Sequence, residues 1–238
     1  MGTASFEYTG NELELFAGAK NWKAYVAEKL KPYIKGDVLE AGAGIGSNTT
    51  LFFNPEVKSW LLLEPDKNFC SRLESMIANK QLNKKCTVFN GYTQQLTEQF
   101  DCIIYIDVIE HIQDDKKEIQ TATDLLNPGG TLIVLSPAHN FLMSPFDKAI
   151  GHYRRYSKKT LITTGNEKIS IKKIFYLDSI GLMASLANKY FLKQDYPSKK
   201  EIAFWDSVII PVSKFIDRIL LFKAGKTIIG IWEKIDAP

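Results

Sequence analysis

The sequence predicts an α/β fold, with a seven-stranded, mostly parallel sheet, helices on both of its faces and an added helical lid. Short apolar runs typical of buried parallel strands alternate with amphipathic helical patterns over residues 36–136. A glycine-rich turn follows the first run, and acidic residues end two others, at Glu64 and Asp107. Open sheets of this kind bind ligands at the carboxyl ends of their strands.

The turn after the first strand has three closely spaced glycines. It reads VLEAGAGIGSNT over residues 38–49, with glycines at positions 42, 44 and 46. Such residues let the backbone turn tightly and approach a ligand, because no Cβ stands in the way. Ser47, Asn48 or Thr49 can cap the next helix, so that free N–H groups at its start face a bound molecule.

Two classes of ligand fit this loop. The dinucleotide fingerprint G-x-G-x-x-G places its third glycine where Ser47 stands, and its pyrophosphate brings negative charge to the loop. Glu40 lies directly before the glycines, and a carboxylate suits a cationic ligand better. The loop therefore favours a cationic ligand over NAD.

Hydrophobic periodicity and turn residues define the other elements. Asn11 is a candidate cap for the first helix, which Pro32 and Gly36 close, and Pro211 is expected to break the last helix. We predict helices over residues 11–34, 47–53, 67–80, 114–126, 158–164 and 199–222. We predict strands over residues 37–41, 59–63, 86–89, 100–106, 131–135, 169–176 and 226–232.

Two strands end in side chains suited to ligand binding. Glu64 follows the glycine loop by about twenty residues, where a carboxylate accepts hydrogen bonds from two ribose hydroxyls, in NAD as in other nucleosides. The fourth strand ends in Asp107, and His111 follows four residues later. His111 is a candidate general base because an imidazole titrates near neutrality, and the alternative is that it only orients the loop.

Three segments together resemble the class I, Rossmann-like methyltransferases that use S-adenosylmethionine. They are the glycine loop with its preceding glutamate, DVIEHI at 107–112, and LNPGGTL at 126–132. The resemblance implies that the last strand is antiparallel and lies beside the fifth, and that the product is S-adenosylhomocysteine. The pattern Ser-x-x-x-Pro-x-Ser-x-x-x-Asp at 207–217 resembles a bacterial subgroup whose genes often accompany glycosyltransferases.

The same resemblance implies which residues bind the cofactor. The glycine loop and Glu40 would hold the methionine part, Glu64 the ribose, and the turn after the third strand the adenine. Tyr92 stands where many members have an aspartate, so a backbone N–H or Thr93 would replace that contact. The implied cofactor-binding residues are Glu40, Gly42, Ala43, Gly44, Gly46, Glu64, Pro65, Gly91, Tyr92, Thr93, Asp107 and Val108.

The segment after the fifth strand contains candidate substrate ligands. His139 is a second candidate base, because it also lies at a strand end. Arginine and aromatic side chains alternate further on, and they suit an anionic or hydroxylated acceptor such as a sugar. The alternative is a surface loop whose arginines pair with neighbouring acids. The candidate substrate-binding residues are His152, Tyr153, Arg154, Arg155 and Tyr156.

Composition limits the remaining possibilities. The 238 residues are 45% apolar and 24% charged, and this length predicts one domain over 1–238. The resemblance implies a core over about 34–140, 166–176 and 226–235, with a helical cover over about 140–165 and 176–225. A net charge of +3 is too small to indicate a nucleic-acid partner. Three cysteines without metal-like spacing predict no metal site and a reducing, cytoplasmic location.

The resemblance implies a small-molecule or glycan acceptor as the partner, and we expect methylation at oxygen. No apolar run reaches the ~20 residues of a membrane span, and residues 1–10 lack a signal-peptide pattern. The apolar face of helix 199–222 leaves a core or lid role, a homodimer and peripheral membrane contact open. The functional alternatives are a non-catalytic S-adenosylmethionine-binding module, an NAD-dependent oxidoreductase and, least favoured, an RNA methyltransferase.

Overall fold

The computed structural model describes residues 12–192 and 196–235. The predicted cap Asn11 and the segment 1–10 lie outside these residues. The described strands are β1 Gly36–Ala41, β2 Val57–Glu64, β3 Cys86–Asn90, β4 Phe100–Ile106, β5 Leu126–Pro137, β6 Ile169–Leu177 and β7 Thr227–Lys234. The described helices are α1 Glu12–Ala17, α2 Lys20–Leu30, α3 Thr49–Phe52, α4 Lys67–Ala78, α5 Asp115–Asp124, α6 Pro145–Ala149, α7 Lys158–Ile162, α8 Ser179–Ala187, α9 Lys199–Phe204 and α10 Ile210–Ile219.

All seven strands form one sheet in the order β3-β2-β1-β4-β5-β7-β6. Neighbouring strands from β3 to β5 pair in parallel, whereas β7 pairs antiparallel with both β5 and β6. This arrangement confirms the predicted fold, including the insertion of the last strand beside the fifth. Because β7 runs in the opposite direction, its first residues lie at the same edge as the carboxyl ends of β4 and β5.

The sheet is buried on both faces, as its continuous apolar runs require. Successive residues of a strand point to opposite faces. Accordingly, Val38 packs in the cluster that contains Tyr25 and Leu30 of α2, and Leu39 packs in the cluster that contains Ile119 of α5. The two clusters fix the sheet between helices and so define the positions of the strand ends.

The first predicted helix is two helices in the structure. Gly18 and Ala19 separate α1 from α2, and the N–H of Lys20 donates to the carbonyl of Gly18 at 2.8 Å. The single helix predicted over 11–34 was therefore wrong at this point, because glycine makes a helix interior unfavourable by about 1 kcal/mol. The break lets α1 lie over the glycine loop, where Leu13 is the nearest side chain to Gly44.

The turn predicted over residues 127–130 lies inside the span of β5. The pairing between β4 and β5 jumps from Phe100 with Leu126 to Cys102 with Thr131, so four residues protrude as a bulge. Gly129 has a φ of 70°, a conformation that favours glycine. The turn is thus present, but the strand resumes on both sides of it.

A helical layer formed by α8, α9 and α10 packs against α1 and α2. Asp217 of α10 is fully buried and accepts hydrogen bonds from the Tyr25 hydroxyl at 2.9 Å and from the N–H groups of Asp178 and Ser179 at 2.8 and 2.9 Å. Asp206 similarly accepts from the N–H of Trp22 at 2.8 Å. Two carboxylates therefore connect this layer to α2 and to the end of β6.

The long C-terminal helix continues through the predicted break. A π-helical turn over Trp205–Ile209 joins α9 to α10, and Pro211 lies in the first turn of α10. Proline is tolerated there because the first N–H groups of a helix lack intrahelical partners. The predicted break at Pro211 was wrong, and the α-helix ends at Ile219 instead of continuing to residue 222.

One face of α10 remains exposed and apolar. Val208, Val212, Phe215 and Ile219 are each at least 45% exposed, at a spacing that places them along one stripe. Within the described residues, every helix is too short or too polar to cross a bilayer. These four side chains are therefore outside the core, and contact with a second copy or with a membrane surface stays among the alternatives that the sequence leaves open.

Candidate active site

The glycine loop adopts the left-handed backbone that its sequence predicts. Gly42, Gly44 and Gly46 have φ values of 69°, 55° and 72°. A Cβ on Gly42 would lie 2.6 Å from Cγ2 of Val108, whereas a Cβ on Gly44 would meet only Leu13, at 3.5 Å. The loop therefore packs tightly against the segment after β4 and leaves space above Gly44, beneath α1.

This difference in the space around the two glycines predicts that Gly42→Ala and Gly44→Ala lose different amounts of stability. Both Gly42→Ala and Gly44→Ala force a side chain into the left-handed region, at about 1–2 kcal/mol. Gly42→Ala also forces Val108 to move, so we expect a further loss of about 1–3 kcal/mol, typical of overpacking. Urea unfolding of the two variants measures the comparison, and equal stabilities would contradict it.

The loop offers few free donors to a ligand. The N–H groups of Gly42 and Ala43 donate to the carbonyl of Leu63 at 2.8 and 3.1 Å, and that of Gly46 donates to Ala43 at 3.0 Å. Asn48 precedes α3 without a side-chain cap, and the hydroxyl of Thr49 instead donates to Glu40. A ligand with positive charge needs acceptors more than donors, and this arrangement suits such a ligand.

Glu40 is buried beneath the loop with only 2% of its surface exposed. Its Oε2 accepts hydrogen bonds from Thr49 Oγ1 at 2.7 Å and from Trp60 Nε1 at 2.9 Å. Burial raises the pKa of Glu40 to about 7, although both hydrogen bonds oppose that rise. A nearby cation would favour its ionised form. The predicted contact between Glu40 and a cationic methionine group stays a prediction.

Glu64 joins the end of β2 to the glycine loop. Its Oε2 accepts from the N–H of Gly44 at 2.7 Å, and its Oε1 accepts from the N–H of Asp66 at 2.9 Å. Burial raises the pKa of Glu64, and the two backbone hydrogen bonds lower it. Each carboxylate oxygen has two lone pairs, so both can still accept a ribose hydroxyl. The neighbouring Pro65 is half-buried.

The turn after β3 is already hydrogen-bonded within the chain. Tyr92 is 51% exposed, and its N–H donates to Gln95 Oε1 at 2.6 Å. The Thr93 hydroxyl is buried and donates to Glu118 Oε1 at 2.5 Å. A Cβ on Gly91 would lie 2.4 Å from Gln95 Oε1 and 2.6 Å from Cε1 of Phe89, so a larger residue there would displace both side chains. The predicted adenine contacts at Tyr92 and Thr93 stay predictions.

Two non-glycine residues with left-handed backbones follow neighbouring strands at the ligand edge. Asp107 follows β4 with a φ of 54°, and His139 follows β5 with a φ of 67°. Such conformations cost about 1–3 kcal/mol and occur often at functional sites. The side chain of Asp107 is exposed. Gly42 of the glycine loop packs against Val108, the residue after Asp107. The sequence predicted that Asp107, Val108 and His139 lie at this edge of the sheet.

His139 has a defined orientation and a defined tautomer. Its ring stacks with those of Phe141 and Tyr176, with centroids 5.1 and 5.2 Å away. Its Nε2 lies 3.0 Å from the carbonyl of Gly225, which only accepts, so Nε2 carries the proton and Nδ1 holds the lone pair. Burial lowers the pKa of His139, so its imidazole is neutral at neutral pH and can accept a proton.

His111 occupies a more enclosed position. Its ring meets that of His152 edge-on, with centroids 4.5 Å apart. Burial and the neighbouring His152 lower the pKa of His111 to about 4, while a hydrogen bond at the backbone of Ile150 opposes the shift. A base with so low a pKa accepts a proton weakly at neutral pH. Of the two predicted bases, His139 is therefore better suited.

The predicted substrate segment is held by internal ion pairs. Arg155 contacts Asp147 through Nε and Nη2 at 2.8–3.1 Å, and Arg154 Nη1 lies 2.7 Å from Asp115. The buried Tyr156 also donates to Asp115, at 2.7 Å, and burial raises its pKa. In this segment Tyr153 is 56% exposed. The contacts match the alternative in which the arginines pair with acids, and direct substrate binding stays a prediction.

Sequence reasoning missed three residues at this edge. Lys226 precedes β7. Burial lowers the pKa of Lys226, and the negative charges of Asp178, Asp147 and Asp107 partly oppose that shift. Asp147 lies in α6, and Glu110 lies between the predicted residues Val108 and His111. Of these three, only Glu110 could have been identified from the sequence, because it lies inside the DVIEHI segment.

The residues around the glycine loop fit S-adenosylmethionine. A Cβ on Gly44 would enter the space beneath α1, so glycine keeps this space open at the end of β1. Glu64 offers lone pairs for ribose hydroxyls, and Glu40 is a buried acid whose ionisation a cation would favour. These two acidic side chains therefore suit a nucleoside that carries a positive charge.

Comparisons with known proteins agree with this site. A family model described as a methyltransferase domain matches residues 14–172, more than half of the chain. The chain is 26% identical to the mitochondrial ubiquinone biosynthesis O-methyltransferase of Dictyostelium discoideum, over 50% of this chain and 44% of that protein. It thus spans less than half the length of that relative.

Solved structures share the fold at low sequence identity. An S-adenosylmethionine-dependent methyltransferase from Clostridium acetobutylicum has a TM-score of 0.57 at 13% identity, with 91% of this chain and 92% of that chain covered. The N-methyltransferase NodS from Bradyrhizobium japonicum has a TM-score of 0.56 at 14% identity, with 92% and 97% covered. The chain belongs to the methyltransferase domain family, and it shares the fold of these S-adenosylmethionine-dependent and N-methyltransferase structures.

Proposed function

We propose that this protein transfers the methyl group of S-adenosylmethionine to an oxygen atom of a small-molecule or glycan acceptor, including a lipid-linked glycan. The observation that carries the proposal is the neutral, oriented imidazole of His139 at the end of β5. Its proton is fixed on Nε2 and its lone pair on Nδ1. An oxygen nucleophile needs to lose a proton, and a neutral imidazole accepts one.

S-adenosylmethionine supplies a methyl group on a positively charged sulfur. The glycine loop and Glu64 bind and orient this donor at the ends of β1 and β2. His139 accepts the proton of the acceptor hydroxyl at Nδ1 while its stacked neighbours hold the ring in place. The main contribution of the protein is alignment of the two reactants, which is worth up to about 7–11 kcal/mol of barrier in well-oriented reactions.

Two further observations support an uncharged or weakly charged acceptor. Both arginines near the site are paired with carboxylates, so they neutralise charge within the protein. Phe141 and Tyr153 are exposed beside this segment, and aromatic faces suit sugars and rings. The O-methyltransferase relative is consistent with oxygen as the acceptor atom.

Calorimetric titration with S-adenosylhomocysteine tests the donor half of the proposal. We expect Glu64→Ala to weaken binding by at least roughly ten- to a hundredfold, because the loss of even one hydrogen bond to a charged group costs about 1.5–3 kcal/mol. Thermal unfolding of the variant is the control, since Glu64 also accepts two backbone N–H groups. Undiminished binding to a folded variant would contradict the assigned role.

An acceptor screen tests the other half. Purified protein is incubated with S-adenosylmethionine and with sugars, phenols or lipid-linked intermediates, and S-adenosylhomocysteine is measured. Turnover with a hydroxylated acceptor, and none with amine analogues, is the expected result. NAD serves as the negative ligand control. Transfer to nitrogen alone would overturn the proposal at oxygen.

A further inference from the structure

A cluster of one carboxylate and two imidazoles lies after β4, where Glu110 also accepts a hydrogen bond from Ser136 of β5. Glu110 and His111 end the turn after β4, and His152 follows α6. One ligand atom from each lies within 4.8 Å of those of the other two. His152 is 41 residues beyond His111 in the sequence, so spacing alone gave no indication of the cluster. The sequence-based expectation was that no metal site exists.

The carboxylate of Glu110 is incompletely satisfied. The residue is fully buried, and its Oε2 accepts from the Ser136 hydroxyl at 2.9 Å. Its Oε1 is buried without a hydrogen-bond partner among the described residues, and Nε2 of His152 lies 3.9 Å from it. An unpaired buried carboxylate oxygen is costly, so it indicates a missing partner at this point.

His152 is arranged as a metal-ligating histidine usually is. His152 Nδ1 lies 3.0 Å from Asp147 Oδ1, which only accepts when ionised, so the proton is on Nδ1 and the lone pair on Nε2. Nε2 is the atom that faces Glu110. A carboxylate bound to the second nitrogen of a ligating histidine is a common feature of metal sites. Arg155 holds Asp147 in position through two nitrogens.

We propose that Glu110, His111 and His152 bind one divalent transition-metal ion, with Asp147 orienting His152. Two imidazoles and a carboxylate suit ions such as Zn²⁺, Co²⁺, Mn²⁺ and Fe²⁺. Ligand bonds of about 2.0–2.2 Å place two donors up to about 4.2 Å apart, so small side-chain movements close the site. Asp107 is exposed and His111 is partly exposed, which gives the ion a path from solvent.

Three protein ligands leave further coordination positions, and the consequence for catalysis rests on the proposed function. Such an ion would make an acceptor hydroxyl lose its proton more readily. That proton passes to Nδ1 of His139, the oxygen lone pair forms the new O–C bond, and the C–S bond breaks with its electron pair remaining on sulfur. His111 would then be a metal ligand and His139 the proton acceptor.

Titration of the untagged, metal-stripped protein with Co²⁺, followed by visible absorption, tests the site directly. We expect one ion per chain, and Zn²⁺ should displace it. His152→Ala and Glu110→Gln should each weaken binding by more than about 100-fold, beyond the effects of outer-shell partners. His139→Ala is the matched control, because the sequence contains only three histidines.

The outcomes separate this proposal from the proposed function. Failure to bind Co²⁺, or equal binding by the wild type and a folded Glu110→Gln variant, overturns the metal site. Thermal unfolding of each variant shows which are folded, and a rise in the melting temperature of the wild type with Zn²⁺ supports the site. Calorimetry with S-adenosylhomocysteine on the same samples reports the cofactor site, whose loss would instead contradict the methyltransferase function.

Discussion

Replacing His139 with asparagine is expected to lower kcat by about 10²–10⁴-fold, the usual contribution of a general base. Asparagine tolerates a left-handed backbone, so the φ of 67° at this position adds little strain to the variant. It cannot accept a proton at neutral pH, which isolates the chemical role of the imidazole. Initial rates with an acceptor from the screen measure the effect.

The pH dependence provides a second readout for His139. Burial lowers the pKa of this imidazole below its usual value of about 6.5, and the base must be unprotonated to act. The wild-type rate should therefore fall as pH drops through that lowered pKa, and this fall should be missing from His139→Asn. Unchanged affinity for S-adenosylhomocysteine is the control. An unaltered rate or an unaltered acidic limb would exclude His139 as the base.

Asp147→Asn is expected to cost about 3–5 kcal/mol in the free energy of unfolding, because it leaves a buried cation without its partner. The Arg155 side chain is only 10% exposed and makes contacts of 2.8–3.1 Å with this carboxylate. Asp124→Asn is the matched control, since Asp124 pairs with Lys168 at 2.7 Å where both side chains are about half exposed. Exposed pairs are worth about 0–1 kcal/mol.

The effect of Asp147 should also depend on pH. Burial alone would raise its pKa, but hydrogen bonds from His152 and Arg155 hold the pKa well below the usual range. The contribution of Asp147 to the free energy of unfolding is therefore complete above the unfolded-state pKa of about 3.9. It is lost as the pH falls towards the pKa of Asp147 in the folded protein. Urea unfolding should therefore give a smaller difference in the free energy of unfolding between the variant and the wild type at pH 3 than at pH 7. A constant difference would contradict this account.

Much of the sheet could be predicted because local rules determine it. Strand β4 has the bounds that the apolar run predicts, and Glu64 lies at the end of β2 as its spacing requires. The positive φ values of the glycine loop follow from residue type and spacing. In each case a short stretch of sequence contains all the information that the prediction needs.

The candidate site was harder to predict because distant segments form it. Glu110 and His152 meet only when the segment after α6 returns to the end of β4, and the N–H of Tyr153 donates to the carbonyl of Glu110 at 2.9 Å. Pairing of Arg155 with Asp147 likewise depends on tertiary structure. The π-helical turn before Pro211 has no local signature in the sequence.

The position of β7 has a consequence for the order of folding. This strand lies inside the sheet, and its Glu233 pairs with Thr131 of β5, 102 residues earlier in the chain. During synthesis β5 therefore emerges from the ribosome long before its second neighbour, with its apolar edge unpaired. Such long-range pairing is slow and leaves strand edges open to aggregation. We expect nascent chains that stop before β7 to be the form that most needs a chaperone.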